Sequence, residues 1–168
     1  MPIATHPSRR TWLLQASAAT LAALTAPAWA AAPTATPAAP ATRLLVEVWK
    51  DPNCGCCQDW IAHMEQNGFA VKVHNTGNNA IRARLGLPQQ LGSCHTARVQ
   101  GYVLEGHVPA TEVQRLLQTR PRALGLAVPG MPVGSPGMDG PAYGGRRDPY
   151  DVLLVRLDGS TAVFRRYA

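Results

Sequence analysis

An α/β domain is what this sequence predicts, and three observations carry it. Leu44-Leu45-Val46-Glu47-Val48-Trp49 is a β-rich run closed by the turn Lys50-Asp51-Pro52-Asn53. Directly after it, Cys57, Trp60, Ile61 and Met64 recur at i, i+3, i+4 and i+7, the spacing of a helix with one buried face. The chain ends in two strand-like runs, Val152 to Leu157 and Ala162 to Tyr167, around the hairpin signal Asp158-Gly159.

The remaining elements follow in order. Asn53 is the expected N-cap of the first helix, and Gly68 its stop. Phe69 to His74 reads as a second strand, and Asn78 to Leu85 as a short helix ended by Gly86 and Pro88. Arg98 to Leu104 reads as one strand. Pro109 opens a helix that buries Val113, Leu116 and Leu117. Leu126 to Pro149 reads as a long Gly/Pro loop. A first strand leading into a cysteine-bearing helix, with a closing antiparallel hairpin, suggests a thioredoxin-like α/β layer carrying an extra Gly/Pro loop insertion and a C-terminal β-hairpin. Residues 44–168 are enough to bury one modest core, and no internal repeat is visible.

The residues ahead of that domain are of another kind. Thr11 to Thr42 contains no charged residue. Ser8-Arg9-Arg10-Thr11-Trp12-Leu13-Leu14, a mildly apolar middle and Ala28-Trp29-Ala30 read as an export signal over residues 1–30, cut after Ala30. The paired arginines and the weak apolar core, interrupted by Gln15, Ser17, Thr20 and Thr25, suit the twin-arginine route. Pro27 closes the apolar run too early for a membrane-spanning helix. Residues 31–43, with Pro33, Pro37 and Pro40, read as an extended tether. A periplasmic location is therefore expected, with no stable membrane insertion of the mature chain.

Composition narrows the function classes. The 168 residues carry 16 Lys+Arg and 10 Asp+Glu. Losing Arg9 and Arg10 with the leader leaves 14 basic residues, a net charge of +4 that is scattered apart from Arg146-Arg147 and Arg165-Arg166. A nucleic-acid binder would show a denser basic face. Four cysteines suffice for one metal or redox site but not for a disulfide-built miniprotein. The near-neutral mean hydropathy excludes a polytopic membrane protein.

Three of the four thiols lie in Cys54-Gly55-Cys56-Cys57, at the expected start of a helix. Free N–H groups and the helix dipole there favour thiolate, which is both nucleophile and metal ligand. Gly55 lets the backbone bend so that the sulfurs converge. Cys54 and Cys57 have the spacing of a redox pair, and Cys56 adds a sulfur that such a pair does not need. Cys94-His95 stands just before a predicted strand, at an end of the sheet where ligands gather. His107, at a helix start, could approach the same end or simply be hydrogen-bonded there. His63 is off the apolar face and reads as solvated, and His74 has no assigned role. Met131 and Met138 stand in an uncharged loop, where a thioether is a soft ligand for Cu(I) or a cap on the core. A structural zinc site, a metal-responsive module without turnover and a thiol–disulfide oxidoreductase remain the competing readings.

Taken together, the export leader, Cys54-Gly55-Cys56-Cys57, Ser93-Cys94-His95-Thr96, Glu105-Gly106-His107-Val108-Pro109-Ala110 and Pro129-Gly130-Met131-Pro132 through Gly137-Met138 resemble the CopG-type family of periplasmic copper-resistance proteins. The resemblance runs from about Val46 to the C-terminus. It implies a thioredoxin-like fold and copper bound by Cys54, Cys56, Cys57 and Cys94 with His95 alongside, as a multinuclear Cu(I) cluster. It also implies a role in copper tolerance, with interconversion of Cu(I) and Cu(II). Metal ions, and a redox or copper-handling partner that the sequence does not name, are the partners expected.

Overall fold

The computed structural model describes residues 42–168. The expected signal peptide and nearly all of the expected tether lie outside the described residues. The elements are β1 (Leu44–Lys50), α1 (Gly55–Gln66), β2 (Phe69–His74), α2 (Asn79–Arg84), β3 (His95–Val99), β4 (Tyr102–Glu105), α3 (Ala110–Thr119), β5 (Gly125–Ala127), β6 (Tyr150–Val155) and β7 (Thr161–Tyr167), with 3₁₀ turns at Gln89–Leu91 and Pro141–Tyr143. Among the described residues no helix is long and apolar enough to cross a membrane.

The seven strands form one mixed sheet in the order β2-β1-β3-β4-β5-β6-β7. The β1–β2 and β4–β5 pairs are parallel, and the other pairs are antiparallel. Parallel pairing of β1 and β2 needs a crossover, which α1 supplies. The expected stripe of α1, Cys57, Trp60, Ile61 and Met64, is buried. Its Trp60, Ile61 and Met64 join Val113, Leu116 and Leu117 of α3 and the sheet residues Val46, Val48, Ala97, Val99, Leu104, Leu126 and Val152 in the main core. Side chains alternate across a strand, so Val103 and Ala127, next to Leu104 and Leu126, serve the opposite face. There they pack with Leu87, Leu91 and Val155 in a smaller core.

Four expectations change. The N-cap position of α1 is Cys54, not Asn53. Asn53 instead donates its N–H to Asp51 Oδ1 at 2.9 Å, stabilising the turn before the helix. The run from Arg98 to Leu104 is not one strand but parts of two, joined at Gln100 and Gly101, whose φ values are +45° and +88°. Two consecutive positive φ values make a tight turn whose twist suits a hairpin. The run from Leu126 to Pro149 is not all loop, because Leu126 and Ala127 belong to β5, which pairs with both β4 and β6. His63 is not solvated: its Nε2 accepts the Ala110 N–H at 3.0 Å and so caps α3.

Candidate metal centre

The turn after β1 and the loop before β3 meet because β1 and β3 pair antiparallel, with Lys50 opposite His95. The end of β1 leads into Cys54 and the start of β3 follows Cys94, so two sequence-distant thiol segments emerge at one sheet end. Lys50 is almost fully buried, and its ammonium donates to the carbonyls of Asp51 and Pro52 at 2.9 and 3.3 Å, which ties down the chain entering Cys54.

The four sulfur atoms of Cys54, Cys56, Cys57 and Cys94 lie within 4.8 Å of one another. Cys54 and Cys57 are joined in a disulfide, while Cys56 and Cys94 are free. Cys56 Sγ is 3.6 Å from Cys54 Sγ and 3.9 Å from Cys94 Sγ. Burial, reinforced by the neighbouring Cys56, pushes the Cys94 thiol up to about 12. Cys94 is therefore a protonated thiol at neutral pH, and a metal must displace that proton to bind it.

Two imidazoles face the same sulfur. His107 Nε2 is 3.0 Å from Cys94 Sγ and His95 Nδ1 is 3.4 Å from it, and both rings are fully buried. Cys94, His95 and His107 form a second group of donors within 4.8 Å. His107 Nδ1 lies 2.7 Å from the Pro136 carbonyl, which can only accept. The proton therefore belongs on Nδ1, and the Nε2 lone pair points at Cys94. Burial lowers both imidazoles, His95 well below its ordinary value with His107 adding to the effect. Both rings are thus neutral, the form that ligates metals. His95 Nε2 is buried without a hydrogen-bond partner among the described residues. Trp60 stands against His95, with ring centroids 4.3 Å apart, and its Nε1–H donates to the Val108 carbonyl at 2.9 Å.

The methionine loop covers the start of α1. A side chain on Gly137 would come within 2.6 Å of the Cys56 carbonyl oxygen and 2.8 Å of Trp60 N. Met131 is half exposed and lines, with Ser93, Cys94 and Gly130, a cleft of 450 Å³. Met138 is buried, and its sulfur accepts the Tyr143 hydroxyl at 3.1 Å. The sequence expectation thus placed Cys54, Cys56, Cys57, Cys94 and His95 in one neighbourhood, where the structure also has them. His107, which the sequence left open, stands nearer to Cys94 Sγ than His95 does.

Two free thiols, a neighbouring cysteine pair and two neutral imidazoles converging at one end of a mixed sheet define an α/β protein whose cysteine cluster could hold a metal ion. A family model described as "Protein of unknown function, DUF411" matches residues 91–138. No curated protein matches the chain. Two solved structures do, both of a copper resistance protein CopG. Its form 2 is 45% identical over 75% of this chain and 99% of its own, with a TM-score of 0.69. Its form 1 is 46% identical over 74% and 98%, with a TM-score of 0.69. The chain belongs to the CopG family of copper resistance proteins.

Proposed function

We propose that the protein is a periplasmic copper-binding protein that holds Cu(I) through its cysteine cluster and interconverts Cu(I) and Cu(II) in copper resistance. The observation that carries this reading is the convergence of Cys54, Cys56, Cys57 and Cys94 Sγ within 4.8 Å. Once the Cys54–Cys57 disulfide is reduced, four thiolates, His95, and the thioethers of Met131 and Met138 exceed what one low-coordinate Cu(I) uses, so more than one ion is expected. The strand order β2-β1-β3-β4, with α1 after β1 and α3 after β4, supports the thioredoxin-like reading of the first part of the fold. Export by the twin-arginine leader of residues 1–30 and spacing by residues 31–43 complete the proposal.

Copper is here the substrate. Closing the Cys54–Cys57 disulfide from two thiols releases two electrons and two protons, and two Cu(II) ions accept the electrons to become two Cu(I). Cys56 and Cys94 remain as thiol donors. Reopening the disulfide requires two electrons from a redox partner.

The bonded Cys54–Cys57 pair also favours a second reading, a thiol–disulfide oxidoreductase of thioredoxin-like type. One experiment separates the two: anaerobic titration of the reduced mature protein with Cu(I) and Zn(II), followed by native mass spectrometry. More than one Cu(I) per chain, held in competition with zinc, is expected. A single zinc unaffected by excess Cu(I) overturns the copper reading, as does the absence of any bound metal. Cys94→Ser is expected to lower copper stoichiometry. His95→Ala is expected to keep much of the Cu(I) and slow the redox step, read by stopped-flow absorbance after circular dichroism has matched the wild type.

A further inference from the structure

The loop that carries Cys94 is gripped by a buried ion pair with no part in the roles above. Glu105, on β4, is fully buried. Its Oε1 meets Arg82 Nε at 2.9 Å, Arg82 Nη2 at 2.8 Å and the Ser93 N–H at 2.7 Å, while its Oε2 accepts the Thr96 hydroxyl at 2.6 Å. Arg82, on α2, is nearly buried, and its Nη2 also donates to the Ser93 carbonyl at 2.6 Å. Asn78 Nδ2 reaches the same carbonyl at 3.1 Å. The Ser93 hydroxyl donates to the Gly130 carbonyl, tying the methionine loop to the same residue. Every polar group of Ser93 is therefore engaged. Gly106 closes the grip from the other side: its φ is +68°, and a Cβ there would come within 2.5 Å of Ser93 Oγ and of the Val128 carbonyl oxygen.

A guanidinium and a carboxylate taken out of water carry a desolvation penalty that two apolar side chains of the same size avoid. Core stability alone is thus a poor reason for this pair. What it does supply is direction. A rigid, planar guanidinium fork that places two nitrogens on one carboxylate oxygen and one of them also on a carbonyl fixes both the distance and the plane of what it binds, which an apolar contact cannot do. Here the fork spans the carboxylate and the carbonyl of the residue immediately before Cys94.

We propose that Arg82 and Glu105 are the positioning pair of the metal centre: by holding both the N–H and the carbonyl of Ser93, they fix Cys94 Sγ at 3.9 Å from Cys56 Sγ and 3.0 Å from His107 Nε2. Among the described residues neither side chain hydrogen-bonds to a donor atom of the metal centre; both act through Ser93. The metal part of this inference rests on the copper reading, whereas the position of the thiol does not.

The experiment uses the whole chain, reduced and stripped of metal. Arg82→Met removes the fork, and Glu105→Gln keeps its size and an acceptor for the Ser93 N–H. Iodoacetamide labelling of Cys94 is read by mass spectrometry as a ratio to labelling of Cys57, which is fully buried on α1, in the same molecule. Global loosening frees Cys57 at least as much as Cys94 and so does not raise that ratio, whereas local release of Ser93 does. The ratio is expected to rise about tenfold in Arg82→Met and less in Glu105→Gln, and Cu(I) affinity to fall about tenfold in Arg82→Met, in line with the loss of supporting groups around metal ligands. A wild-type ratio in variants with wild-type circular dichroism overturns the proposal. Should neither variant fold, amide exchange of the wild type decides: a Ser93 N–H as protected as those of β3 supports the proposal, and one exchanging like an exposed loop overturns it. A wild-type chain that takes up no copper while the labelling ratio still responds would remove the copper reading and leave the positioning role standing.

Discussion

His63 accepts the Ala110 N–H at the start of α3, and it does so only while its ring is neutral. Burial lowers this imidazole below its ordinary value, against a smaller opposing effect of Asp139. The unfolded chain titrates near ~6.5. A folded value below that makes the unfolded state the better proton binder at acid pH. The contribution of His63 to stability is thus complete above pH ~6.5 and is lost as pH falls below it toward the folded value. His95 and His107 are shifted the same way and add to the slope. The urea midpoint is expected to fall between about pH 7.5 and about pH 5.5, and to fall less in His63→Ala. At the higher pH that variant is expected to lose ~1 kcal/mol, the usual worth of a helix cap. Sequence reading missed this role because His63 stands off the apolar face of α1, and its partner is 47 residues away. The grip on Ser93 was invisible for the same reason: Arg82 and Glu105 are 23 residues apart, and neither carries a local signal.

At the scale of elements, periodicity was the strongest guide. The stripe of α1 and the limits of β2 were legible because apolar spacing sets both, and Gly68, with φ of +88°, ends the helix as expected. The β3–β4 turn was not, because Gln100-Gly101 lacks the Asn or Asp that marks such a hairpin, and its flanks read as one continuous run. β5 is three residues long and begins with a glycine, so pairing with β4 and β6, rather than propensity, makes it a strand. The methionine loop is fixed by close approach instead of regular structure. Gly137, at φ of +86°, lies against the Cys56 carbonyl and Trp60 N. Gly137→Ala is expected to cost more than ~1 kcal/mol, since an alanine has neither the space nor the backbone freedom required. Faster amide exchange across residues 129–138 and greater accessibility of Cys56 to alkylation would accompany it. A variant with the wild-type urea midpoint and unchanged exchange would show that the loop does not depend on this contact.

For the molecule as a whole, the proposed leader sets where the thiols are exposed to copper. Changing Arg9 and Arg10 together to lysine is expected to leave the precursor in the cytoplasm, measured by fractionation and by the mass of the accumulated chain. Normal periplasmic accumulation would point to the general secretion route. The broad outline of the mature domain was readable because strand, helix and hairpin signals are local, whereas the closure of its donor set around Cys94 depends on the β1–β3 pairing.

That pairing ties ion uptake to the folding equilibrium. Cys56 and Cys94 are 38 residues apart in the chain, and they are neighbours only once β3 has docked on β1. An ion bridging them acts as a clip that closes the intervening segment, so the folded chain outcompetes the unfolded one for it. Such linkage amounts to ~2.7 kcal/mol when free ligand exceeds its dissociation constant about a hundredfold. The thermal midpoint is accordingly expected to climb with free Cu(I) and to drop on addition of a chelator, so that a cell rich in copper would also hold a longer-lived population of the protein that answers it.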